Sequence, residues 1–378
     1  PLSVPVFRRF WLANIASNFG GLVQAVGAAW MMTLISDSDA LVALVQASTT
    51  LPIMVFSLFA GAVADSFDRR RVMLFSQLFM LVVAGVLTAF AFLDLLNAWL
   101  LLSFTFLIGC GMAFNNPAWQ ASVRDFVGKD LLPGAVLLNG VGFNVTRSVA
   151  PAIGGTIVAV AGASVAFLVN AFSYLGLIFA VWSWEGPPGG EEKRREPLRS
   201  AVVSGFRYVS LSPNLMRIYF RGFVFGLTGV VVLALLPLIA RDMLAGDSLT
   251  FGLLLGAFGF GAVLGGLSSA RIAQTLSSEG MVRLSFATMA IATAVISLSA
   301  WLALTMLAVA LAGAAWVQAL ALFNTSVQLS TPRWVVGRAL SSYQMCTFGG
   351  MALGSWLWGT LVETHSIREA LQLAAAST

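Results

Sequence analysis

Ten stretches of this chain hold no Asp, Glu, Lys or Arg: 10–36, 40–64, 72–93, 95–123, 131–146, 148–184, 222–240, 248–270, 284–332 and 339–362. A charge at the centre of a bilayer costs roughly 2.5–3.5 kcal/mol on insertion scales, and a helix needs about 20 apolar residues to cross. Charge-free windows of this length therefore predict membrane-spanning helices. The window 148–184 is too long for one helix; it predicts the end of one span and all of the next, with a turn near Gly162, Ala163 and Ser164. The window 284–332 likewise predicts two spans with a break around Trp301. Eleven spans result, and the apolar run 370–376 looks like a truncated twelfth.

Composition agrees with the pattern. The chain has 378 residues, of which 58% are hydrophobic and 10% charged; soluble domains carry about 25% charged residues and about 45–50% apolar ones. Single cores stop growing near ~250–300 residues, so no water-soluble core encloses this much apolar surface. A soluble enzyme is excluded, as are disordered, collagen-like and coiled-coil chains. Cys110 and Cys346 both fall in apolar runs, and His365 is the one histidine. Neither a disulfide framework nor a zinc constellation is expected, and no cofactor. The first residue is Pro1, so the true start is expected upstream, and no secretory leader is apparent.

The pI near 9.8 could suggest a nucleic-acid partner, but the basic residues form no single stripe. With the N-terminus placed in the cytoplasm, seventeen of the 21 Lys and Arg fall on inward segments, and only Arg241 and Arg368 on outward loops. That split follows the positive-inside rule and makes the basic pI a matter of topology. The segment 185–197 is polar, charged and rich in Gly and Pro, which reads as a flexible linker. The expected domains are a six-helix bundle over 1–184, a cytoplasmic linker over 185–212 and a second bundle over 213–378. The halves echo each other at an offset near 209, where Phe114 and Asn115 recur as Phe323 and Asn324. Such a repeat predicts a pseudo-twofold axis along the membrane normal, with a substrate site between the bundles near the midplane.

After the second span come Gly61, Asp65, Asp68, Arg69, Arg70 and Arg71. This run resembles the signature of the major facilitator superfamily at the junction of its second and third helices, with Ser66 and Asp68 departing from the usual Arg and Gly. The resemblance covers essentially the whole chain and implies an all-α major facilitator fold of two six-helix bundles. It further implies a latch at Gly61, Asp65 and the Arg cluster that closes the cytoplasmic side and breaks when the transporter opens inward. In span five, Ala150, Pro151, Gly154 and Gly155 resemble a motif of exporters in this superfamily, with Ala150 in place of Gly. With Asn116, Pro117 and Ala118 in span four, the pattern is similar to the drug and siderophore exporter branch, the enterobactin exporter group in particular. Proline bends a helix, and paired glycines let a partner helix pack at backbone distance.

All sixteen acidic residues lie in predicted loops or at span ends, which weighs against a pump selective for cations and leaves the coupling step unassigned. Arg147 lies about 21 Å along a span that starts at Pro133. A charged residue at that depth is a functional-site candidate by default. It either offers a positive field to an anionic or catecholate-like substrate, or snorkels outward or bonds helix carbonyls and Asn144. Further cavity candidates are Asn18, Gln24, Trp30, Gln46, Asn115, Trp119, Asn144, Arg221, Gln318, Asn324 and Gln344, with snorkelling inward or helix–helix bonding the alternative for each. No phosphate-cradling loop is present, so an ion gradient, with H+ as the coupling ion, is the expected drive. The expected function is export of a small amphipathic or anionic organic compound by a monomer in the inner membrane. A lysophospholipid flippase on the same fold is the alternative, and a non-transporting membrane sensor a more distant one.

Overall fold

A computed structural model of the chain describes residues 1–184, 212–332 and 335–378; the side chains of Leu58, Asp65, Ser66, Arg124, Lys129 and Ala270 also lie outside the described residues. Among these residues every regular element is helical, as lipid requires of a chain that must satisfy its own backbone groups. The first helices are α1 (Pro5–Ile35), α2 (Asp39–Ser66) and α3 (Arg69–Phe92). A helical run of 64 residues, Ala98–Ala161, is broken at Gly128, whose φ of 72° and ψ of 179° are not helical, and comprises α4 (98–127) and α5 (129–161). Gly162, at φ 82°, turns the chain into α6 (Ala163–Trp182). The later helices are α7 (Pro213–Leu238, prolonged by a π-turn, Ile239–Met243), α8 (Ser248–Thr275), α9 (Ser278–Leu298), α10 (Leu302–Leu329), α11 (Val336–Thr364) and α12 (Ile367–Ser377).

The breaks expected at Gly162 and Trp301 are where the chain turns. Gly128 and Gly162 both adopt a left-handed φ that a Cβ would strain. Polar residues set several starts: Ser38, Asp68, Asn97, Ser277 and Ser366 each accept a bond from a first-turn N–H, and Asp247 forms a capping box with Thr250. Among the described residues, nine helical segments are long and apolar enough to cross a membrane. Two expected spans are more polar: α5 carries Asn144 and Arg147, and α11 is diluted by Ser, Gly, Thr and Gln344. The helix α12 has 11 residues, about 16 Å at 1.5 Å each, and packs on α9 and α7.

Helices α1–α6 pack chiefly among themselves, as do α7–α12; the main contacts between the two sets are α2 with α11 and α5 with α8. The expected linker, 185–212, lies outside the described residues up to Ser212. One end of the molecule, the basic face, holds Pro5, the α2–α3 junction with its arginines, Gly128 and the start of α11. The other, the far face, holds the α1–α2, α7–α8 and α11–α12 junctions.

Both crossings rely on small residues. A Cβ on Gly252 of α8 would lie 2.5 Å from the Pro151 carbonyl and 2.8 Å from the Gly155 Cα of α5. A Cβ on Gly359 of α11 would lie 2.7 Å from the Ala43 Cβ and 3.0 Å from the Ala40 Cα of α2. The positions 209 on from Ala40 and Ala43 are Leu249 and Gly252, which meet Gly155 of α5, so the two crossings fall at the same offset as the sequence echo.

Replacing Gly252 by Leu forces α5 and α8 apart and is expected to cost about 1–3 kcal/mol. Gly140 of α5 has nothing within 4 Å of where a Cβ would go, and Gly140→Ala is expected to be neutral or stabilising by up to ~1 kcal/mol. Thermal unfolding of both variants in detergent separates the two cases; equal melting temperatures would refute the tight crossing.

Candidate functional site

Helix α5 is clamped between α1 and α8 and has two uncovered sides. Leu138, Gly142 and Gly154 meet α1, while Ser148, Pro151 and Gly155 meet α8. One uncovered side is Val141, Val145 and Val149, all exposed and aliphatic, which suits lipid. The other carries Val136, Gly140, Phe143 and Arg147, spaced as one helical stripe. Arg147 is half-buried at the deep end of that stripe, with its guanidinium 5.5 Å from the centroid of the Phe258 ring of α8. Among the described residues no hydrogen bond or ion pair reaches it. A lone cation over an aromatic face keeps its five N–H donors for a ligand or water.

Three amides lie on inward faces in the same condition. Asn18 shares an α1 face with Asn14 and Gly21, and Gly21 has open space beside it. Gln46 is on the α2 face opposite the exposed Val55. Gln344 is exposed on α11, opposite the outward Leu353 and between the sides that meet α7 and α2. None of the three side chains is hydrogen-bonded within the described residues.

Other candidates are committed elsewhere. Gln24, 5% exposed, accepts from Asn170 Nδ2 of α6 at 2.5 Å. Asn115 accepts from Gln77 of α3 at 3.2 Å, and Gln318 donates to Ser268 of α8 at 3.2 Å. Asn144 donates to the Gly140 carbonyl, and Asn324 accepts from Gln328 on its own helix. Trp119 packs in an aromatic cluster with Phe10 and Phe126 near the basic face, and Trp30 stacks on Phe251 of α8 near the far face. Arg221 pairs with Glu279 of α9 at 2.8 Å, which accounts for its charge without a cavity. Gln24, Asn115 and Gln318 take partners from neighbouring helices, and Asn144 and Asn324 from a neighbouring turn of their own.

The described bonds of the arginine cluster lie within the first set of helices. Arg69 pairs with Asp125 of α4 at 2.9 Å and donates to the Ala121 carbonyl. Arg70 donates to the carbonyls of Val181 and Trp182, capping the C-terminus of α6 with positive charge. Arg71 lies 3.8 Å from Asp68 in an exposed pair of little energetic weight. Arg69 and Arg70 thus tie helices of the first set together. Gly61 is the motif position that faces the second set, with Ser341 Oγ of α11 3.7 Å from where a Cβ would lie. Asp65 is outside the described side chains.

An ionic connection between the sets occurs at the far face. Arg241, in the π-turn after α7, bonds Asp39 of α2 at 3.1 Å, the Thr33 carbonyl of α1 at 3.3 Å and its neighbour Asp242 at 2.6 Å. Ser38 donates to Glu363 of α11. The sequence reading missed this cluster, although Arg241 was one of the two basic residues on the wrong side of the charge bias. Close by, Asp247 caps α8, and its bond from the Thr250 N–H holds the carboxyl below the ordinary 3.8 of an aspartate. The cap is therefore complete above pH 3.8 and is lost as pH falls through the depressed value.

Two sets of six helices, touching along two glycine-rich crossings with unpaired polar groups on their inner faces, define a multi-pass membrane transporter of the major facilitator kind. The chain matches, over residues 1–378, the family described as transmembrane secretion effector, and it belongs to that family. It is 24% identical over 365 residues to the multidrug efflux pump Tap of Mycolicibacterium fortuitum, covering 94% of this chain and 88% of the relative. It is 25% identical over 367 residues to the enterobactin exporter EntS of Shigella boydii serotype 4, covering 94% and 85%. It is 23% identical over 286 residues to the staphyloferrin A transporter of Staphylococcus aureus, covering 74% and 70%. Among solved structures, a bacterial homologue of the human lysosomal transporter Spinster, inward-facing and unoccupied, superimposes with a TM-score of 0.73 at 16% identity over 99% of this chain and 88% of that one. The nucleoside transporter NupG does so with a TM-score of 0.78 at 11% identity over 98% and 96%. These likenesses in structure establish the fold.

Replacing Arg241 by Gln leaves Asp39 and Asp242 facing each other without a counter-charge. The change is expected to weaken closure of the far face by about 1 kcal/mol, a roughly fivefold shift in population. Labelling of a cysteine placed at Thr33 by a membrane-impermeant maleimide reads this out. An unchanged labelling rate would mean that the pair holds nothing shut.

Proposed function

We propose that the chain is a secondary active exporter of a small amphipathic or anionic organic compound of the drug or siderophore class, working as a monomer in the inner membrane. The basic face is then cytoplasmic and the N-terminus inside. The observation that carries this reading is Arg147: a half-buried guanidinium on an inner face with an aromatic ring beneath it and no partner among the described residues. Asn18, Gln46 and Gln344 add neutral donors and acceptors on the same inner faces, which suits a ligand with several oxygens. The relatives named for multidrug efflux and siderophore transport support the substrate class.

The difference between the two crossings supports alternating access. Helices α2 and α11 approach from Ala43 and Gly359 near the far face to Ser57 and Ser341 near the basic one. Helices α5 and α8 meet from Gly155 and Ser248 down to Arg147 and Gly259. Rocking about this region opens the far face when the Arg241 cluster separates. No nucleotide site is evident in the sequence, and an H+ gradient is the proposed drive. One charge crossing 100 mV supplies ~2.3 kcal/mol, enough for roughly a fortyfold concentration ratio.

The test is transport in proteoliposomes against a panel of siderophores, macrolides and other amphipathic anions, with and without an imposed pH gradient. Arg147→Gln is expected to lower the rate for the transported anion by about ten- to a hundredfold, the range for a lost charge-assisted contact. Transport that ignores both the substitution and the gradient would overturn the proposal.

A further inference from the structure

Arg147 and the ring beneath it belong to different sets of helices. Arg147 is on α5, which Gly142 and Gly154 fasten to α1. Ile15 lies 3.1 Å from where a Cβ on Gly142 would be, and the Val23 Cα 3.1 Å from one on Gly154. Phe258 is on α8 and 1% exposed. Its ring packs 6.3 Å from Trp316 of α10, which lies 5.6 Å from Phe225 of α7. A Cβ on Gly313 of α10 would overlap the Phe258 carbonyl. The cation therefore moves with the first six helices and the ring with the last six.

Cation–π attraction acts within about 6 Å of the ring centroid. At 5.5 Å the pair stands close to that limit, so a relative shift of α5 and α8 by about 1 Å takes the guanidinium off the ring. The backbones touch at this level, where a Cβ on Gly259 would overlap the Arg147 carbonyl, and stay in contact toward the far face as far as Gly155 and Ser248. Rocking about this region tilts the two helices against each other and so reaches the pair. What Arg147 then loses is orientation. Stacking fixes the plane of the guanidinium and leaves its N–H edge to the inner face, so less freedom is lost when a ligand binds. Without that backing the long side chain must be ordered by the ligand itself, or snorkels toward water. We propose that Phe258 is a positioning residue for Arg147, raising its affinity for an anion while the far face is closed and lowering it when the far face opens. The ligand is then bound from the basic side and released at the far one. This rests on the exporter reading above and supplies the step that gives export its direction.

The test is equilibrium dialysis of the full chain in detergent against 2,3-dihydroxybenzoate, an aromatic anion, and 2,3-dihydroxybenzamide, its uncharged counterpart. Arg147→Gln is expected to weaken binding of the anion about tenfold or more and to leave the amide within about twofold. Phe258→Leu removes the ring and keeps most of the apolar bulk. It is expected to weaken the anion about three- to tenfold with the amide unmoved, while Phe258→Tyr, which keeps a ring, holds the parent value. Should the Leu variant not fold, Phe258→Met serves the same purpose. Gly252→Leu prises α5 from α8 seven residues from Gly259, about 10 Å along the helix. It is expected to weaken the anion by a similar factor when Phe258 is present and to add nothing in a Phe258→Leu background. Parent affinity in the Leu variant, equal losses in the Leu and Tyr variants, or a Gly252→Leu effect of the same size with and without Phe258 would overturn the positioning role and leave the exporter reading in place. If Arg147→Gln binds the anion as the parent does, or the parent holds the anion no better than the amide, the reading of the site itself fails.

Discussion

A positive charge deep in a bilayer must be offset by something, and in this molecule one arginine on α5 is offset by the face of a phenylalanine. Much of the arrangement around it serves that condition. Gly259 of α8 brings the two backbones together at Arg147, and without a side chain there the neighbouring Phe258 can reach the guanidinium. The valine side of α5 takes the lipid, so the charge is turned inward. A helix with Asn144 and Arg147 in its middle is a poor span on hydropathy alone; it is held by α1 on one flank and α8 on the other.

The same helices show two ways of joining lipid-embedded rods. Small residues let backbones approach closely, and such contact is nonspecific in charge and unaffected by salt. Ionic contacts such as Arg241 with Asp39 lie at the ends, where water screens them and side chains can exchange partners. A molecule that rocks needs the first kind near its pivot and the second at its rims. That division is the one found between α5 and α8 on the one hand and the far-face cluster on the other.

Much of the fold was legible because lipid penalises charge so strongly: the burst of arginines after α2 lies where an uncharged window ends, and the turn at Gly162 and the break at Trp301 lie inside windows too long for one helix. The break at Gly128 was marked by charges at Arg124, Asp125, Lys129 and Asp130, and its left-handed backbone by the glycine itself. The site was less legible. Asn18, Gln46 and Gln344 look no different in sequence from Gln24, Asn115 and Gln318; what separates them is whether a neighbouring helix happens to offer a partner, and that is a property of packing. Arg221 and Arg147 differ for the same reason, since Glu279 pairs with one and, among the described residues, no carboxylate pairs with the other. The arginine motif was recognised by spacing; among the described residues, the bonds of Arg69 and Arg70 join helices within the first six.

Arg70 has a mechanical consequence. Its guanidinium grips the last carbonyls of α6, two residues before the final described position ahead of 185, while its backbone N–H closes the start of α3 on Asp68. The loop between α2 and α3 and the exit of the chain from its first half are therefore one joint. A displacement of the chain at Trp182 is therefore passed directly to the α2–α3 loop.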